Sequence, residues 1–183
     1  MLTKAAIPMA FLLLLVAASP PPAPRAIDTA KSRAQFSIAH IWVERVVGTV
    51  PILSGSVTLA ADATIPTSVT AVLDVTKIAT NEPDRNRALE SSDFFDAAKF
   101  PRWTFTSTKI VPTGPASFEM DGNITIHGVT QAERMQVTVT GTAGQPAYRA
   151  TGKIDRHVFG MAVTRLDPTI GGTADITLEV SLE

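Results

Sequence analysis

Residues 118–139 read FEMDGNITIHGVTQAERMQVTV. Phe118, Met120, Ile124 and Ile126 alternate with Glu119, Asp121, Asn123 and Thr125. Beyond His127, Met135, Val137 and Val139 alternate with Arg134, Gln136 and Thr138. Successive side chains of an extended chain point to opposite faces, so this stretch reads as two half-buried strands. The connection between them, His127 to Thr130, is too short for a parallel crossover, so the pair is antiparallel.

The same period of two recurs outward from this hairpin. Ala174, Ile176, Leu178, Val180 and Leu182 alternate with Thr173, Asp175, Thr177, Glu179 and Ser181. Val69 to Val75, Trp103 to Thr108, and Tyr148 to Ile154 follow the pattern, and Ser32–Ile38 and Val50–Leu59 follow it more weakly. Pro112–Pro115 and Gly141–Pro146 are compact turns. Strands joined this closely form a meander. About eight of them are expected to close into an up-and-down barrel, because an open sheet leaves pairing edges exposed. A barrel of eight strands holds side chains or one small ligand. The expected fold is therefore all-β, an eight-stranded antiparallel barrel.

Composition narrows the function. The chain has 183 residues, enough for one domain with its own core. It has no cysteine, which excludes disulfides, thiol catalysis and Cys-ligated metals. Lys plus Arg number 16 and Asp plus Glu 17, so no basic surplus points to nucleic acid. Hydrophobic residues make up 45% and Thr occurs 23 times, which suits pleated, half-buried strands.

The N-terminus reads as a leader. Lys4 precedes an uncharged apolar run from Ala5 to Ala18, too short for a comfortable membrane span. Cleavage after Ala18 places Val16 and Ala18 at −3 and −1 and makes Ser19 the new N-terminus; the alternative is an uncleaved anchor. Residues 19–26 contain Pro20-Pro21-Pro22-Ala23-Pro24, a stiff spacer. The domain proper is then 27–183. Export without cysteine suits a bacterial periplasm or secretion.

One region interrupts the alternation. Residues 81–101, NEPDRNRALESSDFFDAAKFP, place Pro83 in a first helical turn with Asn81 or Glu82 at the cap. A helical excursion is expected near 82–98, either a functional lid or a plug over the barrel end.

Taken in order, these residues resemble the YceI-like family of lipocalin-like, polyisoprenoid-binding proteins. The resemblance rests on Ser32, Phe36 and His40 in the opening strand, Gly48 and Gly55, and Arg85 to Leu89. It rests most on the run Ser92-Asp93-Phe94-Phe95-Asp96-Ala97-Ala98-Lys99-Phe100-Pro101 and on Ile126-His127-Gly128-Val129-Thr130. Asp155-Arg156 with Phe159-Gly160-Met161 completes it. Asn86, Arg87 and His157 depart from the usual pattern.

The resemblance implies an exported barrel with a long apolar cavity for a polyprenyl lipid, such as an isoprenoid quinone or prenyl phosphate. It implies no cofactor and no catalysis. Lipid is the implied partner, with a homodimer as the protein partner this reading admits. Fatty acids or their amides are the alternative ligands. The alternative activity is an enzyme acting on such lipids with His40 or His157 as acid–base. The cavity set under this reading is Phe36, Trp42, Phe94, Phe95, Trp103, Phe105, Phe159 and Met161. On the residues alone, an ordinary core is the favoured account of these side chains, and the resemblance is what puts the cavity first. Arg85, Arg87 and Arg156 are candidates to meet a phosphate or quinone oxygen at the cavity mouth, with His40 as a further head-group candidate; solvated arginines paired with neighbouring carboxylates are the competing account. The spacings of His40, His127 and His157 match no metal motif, and His127 is expected to meet backbone carbonyls at its turn. No Gly-x-Ser-x-Gly elbow or phosphate loop is present.

Overall fold

The computed structural model describes residues 21–41, 44–60, 63–142, 144–161 and 169–183. The expected leader and Trp42 lie outside the described residues. Ten antiparallel strands form one curled sheet: β1 (Ala23–Ala26), β2 (Arg33–His40), β3 (Glu44–Thr49), β4 (Ile52–Leu59), β5 (Ser68–Asp74), β6 (Arg102–Gly114), β7 (Ser117–Ile126), β8 (Val129–Val139), β9 (Ala147–Asp155) and β10 (Ile170–Ser181). Their order is β1-β4-β5-β6-β7-β8-β9-β10-β2-β3. From β4 to β10 this is the expected meander.

The β7–β8 hairpin pairs Ile126 with Val129, leaving a two-residue turn. His127 (φ 52°) and Gly128 (φ 74°) are both left-handed there. Positive φ at both central positions matches the right-handed twist of the flanking strands. Along β7, Phe118, Met120, Gly122, Ile124 and Ile126 are all buried, so the alternation is unbroken.

The sheet departs from the expected barrel in two respects. There are ten strands rather than eight, and the order ends on two edges, β1 and β3, with no ladder closing it among the described residues. The chain itself draws the edges in. β3 continues into β4 through Val50 and Pro51, and isolated bridges join Ile27 to Leu182 and Thr49 to Ala79. Neither extra strand alternates in sequence. In β3 the inward positions are Val46 and Gly48, and the glycine hides the pattern. β1 occupies the second half of the spacer; polyproline and extended backbone are close in φ and ψ, and an edge strand tolerates Pro24.

The interruption at 81–101 is helical, as its prolines and caps suggest. Helix α1 (Pro83–Glu90) starts from Glu82, whose carboxylate accepts from the amides of Asp84 and Arg85. Turns follow to Phe100. Asn86 Oδ1 accepts from the Thr80 amide and hydroxyl, at 2.8 and 2.7 Å, tying α1 to the sheet without a charge. The outer face carries ion pairs across strands: Arg134–Asp121, Arg149–Glu179 and Arg45–Asp175. Asp74, 5% exposed, accepts from the Thr76 hydroxyl at 2.6 Å and from Arg102 at 2.8 Å. These two contacts, Thr76 first, outweigh burial and hold its carboxyl below the usual carboxylate range.

Candidate functional site: two apolar cavities under one helical lid

The curled sheet packs a hydrophobic core and leaves apolar space beside it. The inner cavity, about 100 Å³, is lined by positions of β2 and of β4 to β10, among them Leu73, Phe105, Met120, Ile124, Met135 and Leu178. No charged side chain among the described residues lines it. The lid-side cavity, about 260 Å³, lies between the sheet and the α1 excursion. The excursion contributes Arg85, Ala88, Leu89, Phe94 and Phe95; the strands contribute Ile38, Val46 and Ile126. Phe36, Trp103, Ile154 and Ile176 line both cavities and therefore form the wall between them.

The wall is positioned by strand register. Phe36 lies directly opposite Gly48 in β3. A Cβ at Gly48 would sit 2.3 Å from the tip of the Phe36 ring, so only glycine lets the ring lie across that strand. Phe105 lies over Gly122 of β7 in the same way. Trp103 meets Phe95 edge-on, with ring centroids 4.8 Å apart and planes at 71°. That contact couples the lid to the wall.

The sequence candidates separate in three dimensions. Phe36, Phe94, Phe95, Trp103, Phe105 and Met161 all line cavity surface. The consecutive Phe94 and Phe95 both reach the lid-side cavity because they sit in turns rather than in a strand. Phe159 does not join them: it is 0% exposed and lines neither cavity. It sits in the tight turn Arg156–Phe159, where its carbonyl lies 3.1 Å from His127 Nδ1. His127 therefore meets a backbone carbonyl as its turn position suggests.

His40 and Arg85 line the lid-side cavity. Arg156 lines it too but is neither a mouth residue nor solvated. It is buried, and its guanidinium donates to the carbonyls of Gly171 (3.0 Å), Met161 (2.5 Å) and Ile170 (3.3 Å). Arg87 is exposed and pairs with Asp84. His157 lies outside both cavities, half exposed, with Nδ1 2.9 Å from Asp155. The amide and ring of His157 hold the Asp155 carboxyl below its usual range.

Two buried side-chain atoms among the described residues have no hydrogen-bond partner: His40 Nδ1 and Trp103 Nε1. Both residues line the lid-side cavity. The apolar wall residues Ile154 and Ile176 were not singled out from the sequence. Their inward positions in the alternation are the signal that could have found them.

A curled antiparallel sheet around apolar space is a lipocalin-like arrangement. The chain belongs to the YceI-like family: the family's domain model matches residues 26–182. A UPF0312 protein of Vibrio parahaemolyticus is 26% identical over 165 residues, covering 86% of this chain and 84% of its own. Among solved structures, Burkholderia cenocepacia BcnA superposes with a TM-score of 0.76 at 22% identity, covering 85% of this chain and 98% of its own. A polyisoprenoid-binding domain from Saccharophagus degradans, implicated in plant cell wall breakdown, superposes at 0.67 with 15% identity, covering 89% and 99%. At these identities the structural likenesses concern the fold.

Proposed function

We propose that this protein binds a long-chain lipid of polyisoprenoid type inside the sheet and carries or buffers it outside the cytoplasm. The observation that carries the reading is the pair of abutting apolar cavities, one of them without any charged lining residue among those described. The polyisoprenoid-binding Saccharophagus domain of the same fold supports it. A chain longer than one cavity must pass the wall of Phe36 and Trp103, so those rings sort what enters. Drug-sized and larger ligands gain roughly 0.3 kcal/mol per non-hydrogen atom, so a forty-carbon chain reaches about −12 kcal/mol. The tail then dominates affinity.

The role is binding rather than turnover. Of the two histidines considered as acid–base groups, His157 sits outside the cavities. The export reading rests on Lys4, the apolar run and Ala18. Intact mass of native material should give an N-terminus near Ser19, and a retained leader would replace export by anchoring.

The decisive experiment is mass spectrometry of lipid extracted from natively purified protein. A prenyl chain is expected. A fatty chain would move the assignment to linear amphiphiles, and protein that neither carries nor takes up lipid would overturn it.

A further inference from the structure

The end of the sheet opposite the lid carries its own closure. β4 and β5 are joined there, and the last pair of their ladder is Thr58 with Ser68. The described residues 63–67 of that connection do not stay over their own hairpin. Tyr148, at the start of β9, donates its hydroxyl to the Thr64 carbonyl at 3.0 Å. Strands β6, β7 and β8 stand between β5 and β9 in the sheet order, so the connection reaches across the end of the curl. Among the described residues, this is the one hydrogen bond from Thr64, Ile65 or Pro66 to a strand outside their hairpin. Ile65 is half-buried against the core, and Pro66 is buried and lines the inner cavity. Proline has no amide hydrogen, so it faces apolar space without leaving a donor unpaired. Phe118, 1% exposed, and Tyr148, 5% exposed, line the same cavity and meet edge-on with centroids 6.2 Å apart. The inner cavity therefore runs from the Phe36–Trp103 wall to a floor of Phe118, Tyr148 and Pro66.

We propose that the crossing segment Thr64–Pro66 is a stop for the lipid tail, and that Tyr148 and Pro66 set the chain length the protein prefers. This deepens the lipid-binding reading and rests on it. Prenyl units add apolar contact until the chain end meets Pro66 and the Phe118–Tyr148 pair. A longer chain must displace the segment, which breaks the Tyr148–Thr64 hydrogen bond and uncovers Ile65. One neutral hydrogen bond contributes modestly once water replaces it, so the stop grades chains by length and does not bar them outright.

The test uses the delipidated mature protein and a series of prenols that differ only in length: geraniol, farnesol, geranylgeraniol and solanesol, each competing with a fluorescent lipid. Every five-carbon unit that enters the cavities should tighten binding about tenfold. In the wild type this gain should collapse before solanesol. Tyr148→Phe keeps the ring and removes the latch; it should tighten solanesol about fivefold and leave farnesol within about twofold. Pro66→Ala trims the floor and should move the break in the same direction. A gain that continues unbroken to solanesol in the wild type would overturn the tail stop while leaving lipid binding intact. So would a break that neither variant moves, or an equal loss at every length, which marks a purely structural role. Failure of all four prenols to bind would overturn both readings.

Discussion

Gly48→Ala and Gly122→Ala are the same chemical change under two aromatic rings, and the structure expects different outcomes. At Gly48 the new Cβ would lie 2.3 Å from the tip of Phe36 and 2.9 Å from Thr80 Cγ2. The ring must retreat until the contact opens from 2.3 Å to at least the ordinary 3.4 Å. Phe36 is half-buried with cavity on both sides, so it has room to swing. Overpacking costs about 1–3 kcal/mol, and this site belongs at the low end, further offset by the loss of glycine's chain entropy. At Gly122 the Cβ would meet Phe105 at 2.3 Å and also the Thr106 carbonyl at 2.8 Å. Phe105 is 7% exposed, and a backbone carbonyl cannot swing away, so the cost belongs at or above the upper end. At about 2–4 °C per kcal/mol for a chain of this size, Gly48→Ala should melt within about 4 °C of wild type and Gly122→Ala at least about 6 °C lower. Displacement of a fluorescent lipid should show the reverse emphasis. Gly48→Ala pushes Phe36 into the passage between the cavities and should weaken long-chain binding by about tenfold, roughly 1.4 kcal/mol. Equal melting losses, or a Gly48→Ala protein with unchanged lipid affinity, would refute the argument that Phe36 is a movable wall.

Tyr148 is the one tyrosine in the chain, and burial pushes its phenol up to about 12, while its hydroxyl donates to the Thr64 carbonyl. Ultraviolet titration of the folded protein should show no phenolate until near that pH. Because the folded value lies above the ordinary 10.0, this contribution to stability is complete below pH 10 and lost as pH rises towards 12. Asp74 behaves in the opposite sense: its depressed carboxyl stabilises the fold above the ordinary 3.8 and ceases to do so as pH falls through its folded value. Asp74→Asn should therefore lower the melting temperature at neutral pH and flatten the acid limb of the stability profile. Arg156→Ala leaves three carbonyls without a charged donor and should cost about 3 kcal/mol or more, while Arg85→Ala should change stability by less than about 0.5 kcal/mol. Parallel urea unfolding checks the contrast.

Much of the architecture was legible in the order of residues. Period-two alternation placed most of the strands between Ser32 and Leu182, and Pro83 with Glu82 marked the helix. These signals are local: alternation reports which side chains share a face, and caps report where amides lack partners. β1 and β3 were silent because Pro24 and Gly48 carry no periodic apolar side chain, and pairing supplied what periodicity did not.

The candidate site divides in the same way. The family resemblance nominated Phe36, Trp103, the Phe94-Phe95 pair and Arg85, where residue type alone favoured core for the rings and solvent for the arginine. Whether a core ring also lines space depends on atoms distant in sequence: Phe159 and Phe105 are both buried, and only Phe105 borders a cavity. The two arginines part for the same reason. Three carbonyls brought by the β10 start and the Met161 turn enclose Arg156, whereas no described carboxylate pairs with the Arg85 guanidinium. By itself the sequence determined strand faces, turns and the helical interruption, because these arise from neighbours along the chain. The tertiary structure alone decided the wall, the two cavities and the fate of each charge, because burial and pairing are set by which strands the curled sheet brings together.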